Sequence, residues 1–126
     1  MIIYVNGDSH SAGAELIKDY CFANDDQRYV YLGRTPHPEA IPKTFGNHLA
    51  HALNAGYFLD AESSSSNYRI LRTTKQFLEE KYGTTKTVII GWTTWEREEL
   101  LHNDSYYQLT ASGTDSVPEE LYDTYQ

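Results

Sequence analysis

The chain opens on Met1-Ile2-Ile3-Tyr4-Val5, a nearly unbroken apolar run that stops at Asn6-Gly7. A run of this kind, closed by turn residues, predicts a strand buried on both faces, as in a parallel sheet. Gly13, Leu16, Ile17 and Tyr20 then recur at helical spacing. Residues 24–43 read as a loop, with the turn cluster Asn24-Asp25-Asp26 and breaks at Pro36, Pro38 and Pro42. Loops that long in compact domains are often functional. A second helix follows Pro42, with Phe45, Leu49, Ala52 and Leu53 on one face and Gly56 as its stop. Tyr57-Phe58-Leu59 reads as a short strand, and a polar run from Glu62 to Asn67 separates it from a third helix over 67–82. Ile70, Leu71, Thr74, Phe77, Leu78 and Lys81 form the stripe of that helix, and Gly83 stops it. Thr87-Val88-Ile89-Ile90 is the clearest strand and ends at Gly91-Trp92. Trp95 to Leu101 predicts a short helix, and residues 103–126 a weakly patterned tail with a helix start after Pro118.

The order β-α-α-β-α-β predicts an α/β fold: one domain over 1–126, with a short parallel sheet between helices on its two faces. In open sheets of this class ligands bind beyond the carboxyl ends of the strands. Those ends are Gly7-Asp8-Ser9, the Ser63 to Asn67 run, and Gly91 to Thr94. All three are rich in small and hydroxyl residues and are expected to meet at one rim.

Charge narrows the range of partners. Ten Lys and Arg stand against eighteen Asp and Glu, for a net charge of −8. Such a surface repels phosphate backbones and anionic lipid, so no nucleic-acid partner and no membrane partner is expected. No apolar run reaches the roughly 18 residues of a membrane span. The single cysteine, Cys21, allows neither an intrachain disulfide nor a cysteine-based zinc site, and its apolar helical context predicts a core residue. With the strand beginning at Met1 and no basic leader before it, a cytoplasmic location is expected.

The candidate chemistry sits at the rim. Ser9 lies directly after a strand and directly before a helix, where unpaired backbone N–H groups would favour an oxyanion near its hydroxyl. The position equally suits a helix cap. Asp8 would cap or orient the turn. His10 adjoins Ser9, but successive residues entering a helix do not face each other. Ser63 to Ser66 suit either a loop with a cap at Ser66 or Asn67, or backbone donors to an oxyanion. Thr93 and Thr94 suit either hydroxyl donors or a turn. Trp92 and Trp95 would wall a pocket or simply pack. His48 and His51 are three apart on the second helix, but His48 borders the apolar face, His51 points away, and no carboxylate accompanies them. No metal site is expected, and no cofactor. His37 sits between two prolines with no assigned role.

At these residues the chain resembles the SGNH hydrolases, the GDSL-like lipases and esterases, and it is similar to SGNH-like proteins of marine bacteriophages. Gly7-Asp8-Ser9 looks like the family's first block, the stretch Ser64 to Ile70 like the second, and Gly91-Trp92-Thr93-Thr94-Trp95 falls where the third would lie. The resemblance spans about residues 1–100. It implies a flavodoxin-like three-layer α/β/α fold. It also implies Ser9 as nucleophile with Asp8 beside it, an oxyanion held by Ser64, Thr93 and Gly91, and Asn67 and Trp92 against a small ester or acyl substrate. Ser64 stands where the family usually has glycine, and Thr93 where it usually has asparagine. The family's histidine lies in an Asp-x-x-His block near the C-terminus. No Asp here has His three residues later, and no histidine follows His102. His102 and His10 are the surrogate bases this leaves to test.

The family's sheet has five parallel strands in the order 2-1-3-4-5, and only three are legible here, so the fold is expected to be incomplete. Strand 87–90 would then be a bare apolar edge, covered by a second copy, by another chain, or by residues 103–126. Four readings stay open: a self-sufficient ester or acyl hydrolase; a non-catalytic derivative that binds or assembles, as in a virion; a hydrolase completed by a second polypeptide; and a fragment of a longer enzyme.

Overall fold

A computed structural model describes residues 1–14, 16, 35–81 and 83–109. The expectations for Ile17, Tyr20, Cys21, the turn at 24–26 and the helix start after Pro118 lie outside the described residues.

Strand β1 (Ile2–Asn6) forms the centre of a three-stranded parallel sheet, with β2 (Gly56–Leu59) on one side and β3 (Lys86–Ile90) on the other. Ile3 lies opposite Tyr57 and Thr87, and Val5 opposite Leu59 and Ile89. The parallel α/β expectation holds, with the order β2-β1-β3. Centrality explains the uninterrupted apolar run: Ile3, Tyr4 and Val5 are all fully buried. Ile3 and Val5 form one core with Ala50, flanked by Leu49, Ala55, Tyr57, Leu59 and Ile89. Tyr4 points the other way, with its ring 4.1 Å from Phe77 and 5.8 Å from Phe58.

Helix α1 (Ser9–Ala12) is a single turn. Gly13 caps it with φ of 70°, so the periodicity continuing to Leu16 does not extend this helix. Asp8, rather than Ser9, is its N-cap and accepts from the His10 N–H. Helix α2 (Phe45–Ala52) follows a 3₁₀ turn at Ile41–Lys43. Its buried positions are Gly46 and Ala50, whereas Phe45 and Leu53 are half exposed. Leu49 of the expected face does pack against the core, but the buried Gly46 and Ala50 were not foreseen, because Gly46 carries no hydrophobic signal. A Cβ at Gly46 would fall 2.5 Å from Tyr57 Cε1 and 2.7 Å from Val5 Cγ2, so the bare glycine lets α2 sit directly on β1 and β2. Asn54, with φ of 51°, lies in the reversal after α2, and Gly56 is already the first residue of β2.

Helix α3 (Asn67–Glu80) begins at Ser66, whose Oγ accepts from the Arg69 N–H at 3.1 Å. Its buried stripe is Arg69, Ile70, Thr74 and Phe77, while Leu71 and Leu78 face out. An arginine occupies a place the apolar count gave to leucine.

The expected helix over 95–101 is absent. Strands β4 (Glu98–His102) and β5 (Ser105–Leu109) form an antiparallel hairpin, a separate two-stranded sheet. Its turn is Asn103-Asp104, with φ of 49° and 64°. Two successive left-handed residues make the mirror-image turn whose twist matches a two-residue hairpin, and Asn and Asp tolerate it best. The turn chemistry outweighed the weak helical pattern before it, and part of the expected tail is strand. Glu99 takes three contacts of 2.6–3.2 Å from the Arg72 guanidinium, and Arg72 lies 3.7 Å over the Tyr106 ring, so the hairpin docks on α3. Among the described residues, no strand pairs with the outer edge of β3.

Candidate active site at the strand ends

The three strand ends do converge. Asp8, just past β1, accepts from the Thr93 hydroxyl at 2.9 Å. Thr93, just past β3, is held by Asn67 in a reciprocal pair: its N–H donates to Asn67 Oδ1 at 2.8 Å, and Asn67 Nδ2 donates to its carbonyl at 3.1 Å. An amide side chain that matches a backbone unit in this way fixes the loop after β3 to the start of α3. Arg97 closes the cluster: its Nη1 donates to Thr93 Oγ1 at 2.9 Å and to the Ser65 carbonyl at 3.4 Å, and lies 3.6 Å from Asp8 Oδ2.

Beneath this rim lies a buried polar layer. The Asn6 side chain is fully buried; its Nδ2 reaches Tyr4 Oη, Thr73 Oγ1, Thr74 Oγ1 and the Ile70 carbonyl at 2.7–3.1 Å. Its Oδ1 accepts from the Gly7 N–H at 2.8 Å and thereby holds the turn that presents Asp8 and Ser9. Arg69 donates to the Asp60 carbonyl at 2.9 Å and pairs with Glu62 at 3.0 Å. Tyr4 Oη donates to Asp60 at 2.6 Å. Burial, together with the neighbouring Asp60 carboxylate, pushes the Tyr4 phenol well above its ordinary range. Tyr57 shifts the same way through burial, partly offset by its hydrogen bond with Thr44. Among the described residues, no buried side-chain polar atom lacks a hydrogen bond, as buried polar networks require.

Gly91 sits where β3 leaves the sheet. Its N–H donates to the Asn6 carbonyl at 2.9 Å, so that group is spent on the ladder. Its missing side chain matters more: a Cβ there would stand 2.9 Å from Ser11 Oγ, and one at Gly7 would stand 2.5 Å from the same atom. The two glycines let α1 lie flat on the β1–β3 seam.

Ser9 opens on the other side of its turn. It lines a groove of about 440 Å³ together with His10, Leu16, Lys43, Phe45 and His48. Asp8, Thr93, Asn67 and Trp92 do not line that groove. The rim cluster and the Ser9 groove are thus two faces of one turn. Among the described residues, the Ser9 hydroxyl makes no hydrogen bond. Ser64 has φ of 65° and sits in the turn before α3. Trp92 and Trp95 are 58% and 84% exposed and do not line the Ser9 groove. His102 lies at the end of β4, 3.2 Å from the Asn103 amide, and is not in the groove.

Sequence reasoning passed over Arg97, Lys43 and the Asn6–Arg69 layer, and it weighed His48 only as half of a metal pair. Arg97 lies four residues beyond Thr93, where the chain was read as helix. Asn6 was read only as the end of a strand. Among the described residues, no three His, Cys, Asp or Glu side chains gather where they could hold a metal ion. No helix among them is long and apolar enough to cross a membrane. Comparison with family models, with curated proteins and with solved structures finds no match for this chain.

Proposed function

We propose that the chain is an SGNH-like serine ester or acyl hydrolase domain with Ser9 as its nucleophile, built on a flavodoxin-like three-layer α/β/α scaffold. The observation that carries the reading is the position of Ser9: directly after the turn of the central strand, opening into a groove of about 440 Å³. That size suits a small substrate, for which sites of about 300–1,000 Å³ are usual. The Asn6 side chain holds the turn from below, and Asp8 holds it sideways through Thr93 and Arg97. Preorganisation of that kind favours a positioned nucleophile.

In the reaction Ser9 Oγ attacks an ester carbonyl, an alcohol leaves, and water clears the acyl-enzyme. The Ser9 backbone N–H is the proposed oxyanion donor, because Ser64 and Thr93, which the resemblance also implies, do not line the groove. No cofactor enters this chemistry, and the net charge of −8 disfavours a nucleic-acid substrate.

Labelling with a fluorophosphonate probe, read by intact mass and peptide mapping, tests the reading. A stoichiometric adduct on Ser9, absent in Ser9→Ala, is the expected result. A folded sample that takes no adduct sinks it.

One observation favours a second reading, a non-catalytic domain that assembles through the β3 edge. Val88 is 37% exposed on a strand whose outer edge pairs with no described strand, with Trp92 and Trp95 exposed just beyond it. An obligate oligomer in sedimentation velocity, dissociated by Val88→Lys, together with no probe adduct, would support this reading over the first.

A further inference from the structure

Ser9 needs a proton acceptor, and the groove it lines supplies two imidazoles. We infer that His48 is the general base for Ser9, an inference that rests on the reading of Ser9 as nucleophile.

His10 is the poorer candidate. It follows Ser9 on the same helical turn, where successive side chains diverge by about 100°, and its N–H is tied to Asp8 at 3.1 Å. His48 approaches from a different element. Thr44, Phe45 and His48 recur at the spacing of one helical face, and all three line the groove with Ser9.

The placement of His48 is fixed by packing. The start of α2 is pinned on one side by Gly46 against Val5 and Tyr57. On the other it is pinned by Thr44, whose Oγ1 reaches the Ile41 carbonyl at 2.7 Å and Tyr57 Oη at 2.8 Å. The two helices meet at one point: a Cβ added to Gly13 would stand 2.9 Å from Thr44 Cγ2. Ser9 lies one helical turn before Gly13, and His48 one turn after Thr44. Both therefore sit about 6 Å along their helices from the shared contact, at 1.5 Å per residue.

No hydrogen bond joins Ser9 to His48 in the described structure. Both side chains line one open groove, where side chains change rotamer on the picosecond to nanosecond scale. Catalytic hydrogen bonds commonly tighten only when substrate is bound.

The steps balance. The Ser9 O–H bond breaks and its proton passes to a ring nitrogen of His48. Oγ bonds to the ester carbonyl carbon, and the carbonyl π pair moves to oxygen. On collapse the bond to the leaving alcohol breaks, and His48 returns the proton to that oxygen. In the second half His48 takes a proton from water, the hydroxide adds to the acyl carbon, and Ser9 leaves with the proton.

The test is the rate of fluorophosphonate labelling at Ser9 in the full chain. His48→Gln should slow it by about 10²–10⁴-fold, with His51→Gln unchanged as the control from the same helix. Free imidazole should restore part of the rate in His48→Ala, a response that a merely structural histidine would not give. Labelling of His48→Gln at the wild-type rate overturns the inference while leaving the nucleophile intact. Loss of labelling in His10→Gln alone also overturns it. Absence of any Ser9 adduct in the wild-type chain overturns the nucleophile reading and, with it, this one.

Discussion

Replacing Arg69 by methionine keeps most of the stem volume and removes the guanidinium from the buried layer under the rim. The side chain is 7% exposed, whereas Asp60 and Glu62 are 24% and 29% exposed. The two carboxylates can therefore recover water when the arginine is lost, and the full penalty of an unpaired buried charge does not apply. Asn6 Oδ1 keeps the Gly7 N–H, and Ser65 Oγ keeps its donation to the Glu62 carbonyl at 2.8 Å. What is lost is the donation to the Asp60 carbonyl and the charged contact to Glu62, with weaker contributions from the 3.7 Å pair to the Asp60 carboxylate and the long donations to Asn6 Oδ1 and Ser65 Oγ. An orphaned buried acceptor costs about 1–3 kcal/mol, and a hydrogen bond to a charged group contributes about 1.5–3 kcal/mol. A loss of about 3 kcal/mol follows, at the low end for breaking a buried pair. With a urea m-value of about 1.5 kcal/mol/M, the unfolding midpoint drops by about 2 M. Arg69→Lys keeps the charge near Glu62 without the planar fork, and should lose about half as much. Urea unfolding followed by circular dichroism measures both. A midpoint for Arg69→Met within 0.5 M of wild type would refute the reasoning, because the layer would then contribute little to joining the β2–α3 loop to the sheet.

Other perturbations test other joints. Gly46→Ala gains about 1 kcal/mol in helix propensity, but its Cβ would overlap Val5 and Tyr57. Overpacking of about 1–3 kcal/mol or more should win, so thermal unfolding should show a net loss of about 1–2 kcal/mol. Burial raises the pKa of Tyr4 and Tyr57 above 10.0 in the folded state. Their contribution to stability is thus fully present below that value and is lost as the pH rises beyond it toward the folded pKa values. Absorbance at 295 nm should show these two phenols ionising only as the chain unfolds, and a smooth titration of every tyrosine near pH 10 would contradict this. Arg72→Ala frees Glu99, which is 7% exposed, and removes the cation over Tyr106. Hydrogen exchange should accelerate at least tenfold across β4 and β5, with β1 unchanged.

The amino-acid sequence determined those parts of the protein that depend on local pattern. The apolar run at 1–5 is read correctly because a central strand buried on both faces needs no alternation, and the Thr87 to Ile90 run because its β-branched residues favour a strand even at the edge of the sheet. The small and hydroxyl residues at 7–9, 63–67 and 91–94 announce a rim, because a parallel sheet brings strand ends to one edge. The hairpin was equally open to reading, since Asn103-Asp104 is a turn signal in its own right, but the apolar residues before it were weighed as a helix.

Tertiary structure alone decided the rest. Whether Arg69 lies on the buried face of α3 depends on Asn6 at the end of β1 and on Asp60 and Glu62 in the β2–α3 loop, two other segments that leave no periodic signature. Gly46 counts as nothing on a hydrophobic wheel, yet it sets how closely α2 approaches the sheet. The two-sided character of the Ser9 turn, with Asp8 committed to Thr93 and Arg97 while Ser9 lines a groove with His48, follows from which neighbour each face of one tight turn meets. Pattern along a chain reports which residues seek burial; the partners they find there are set by packing between segments distant in sequence.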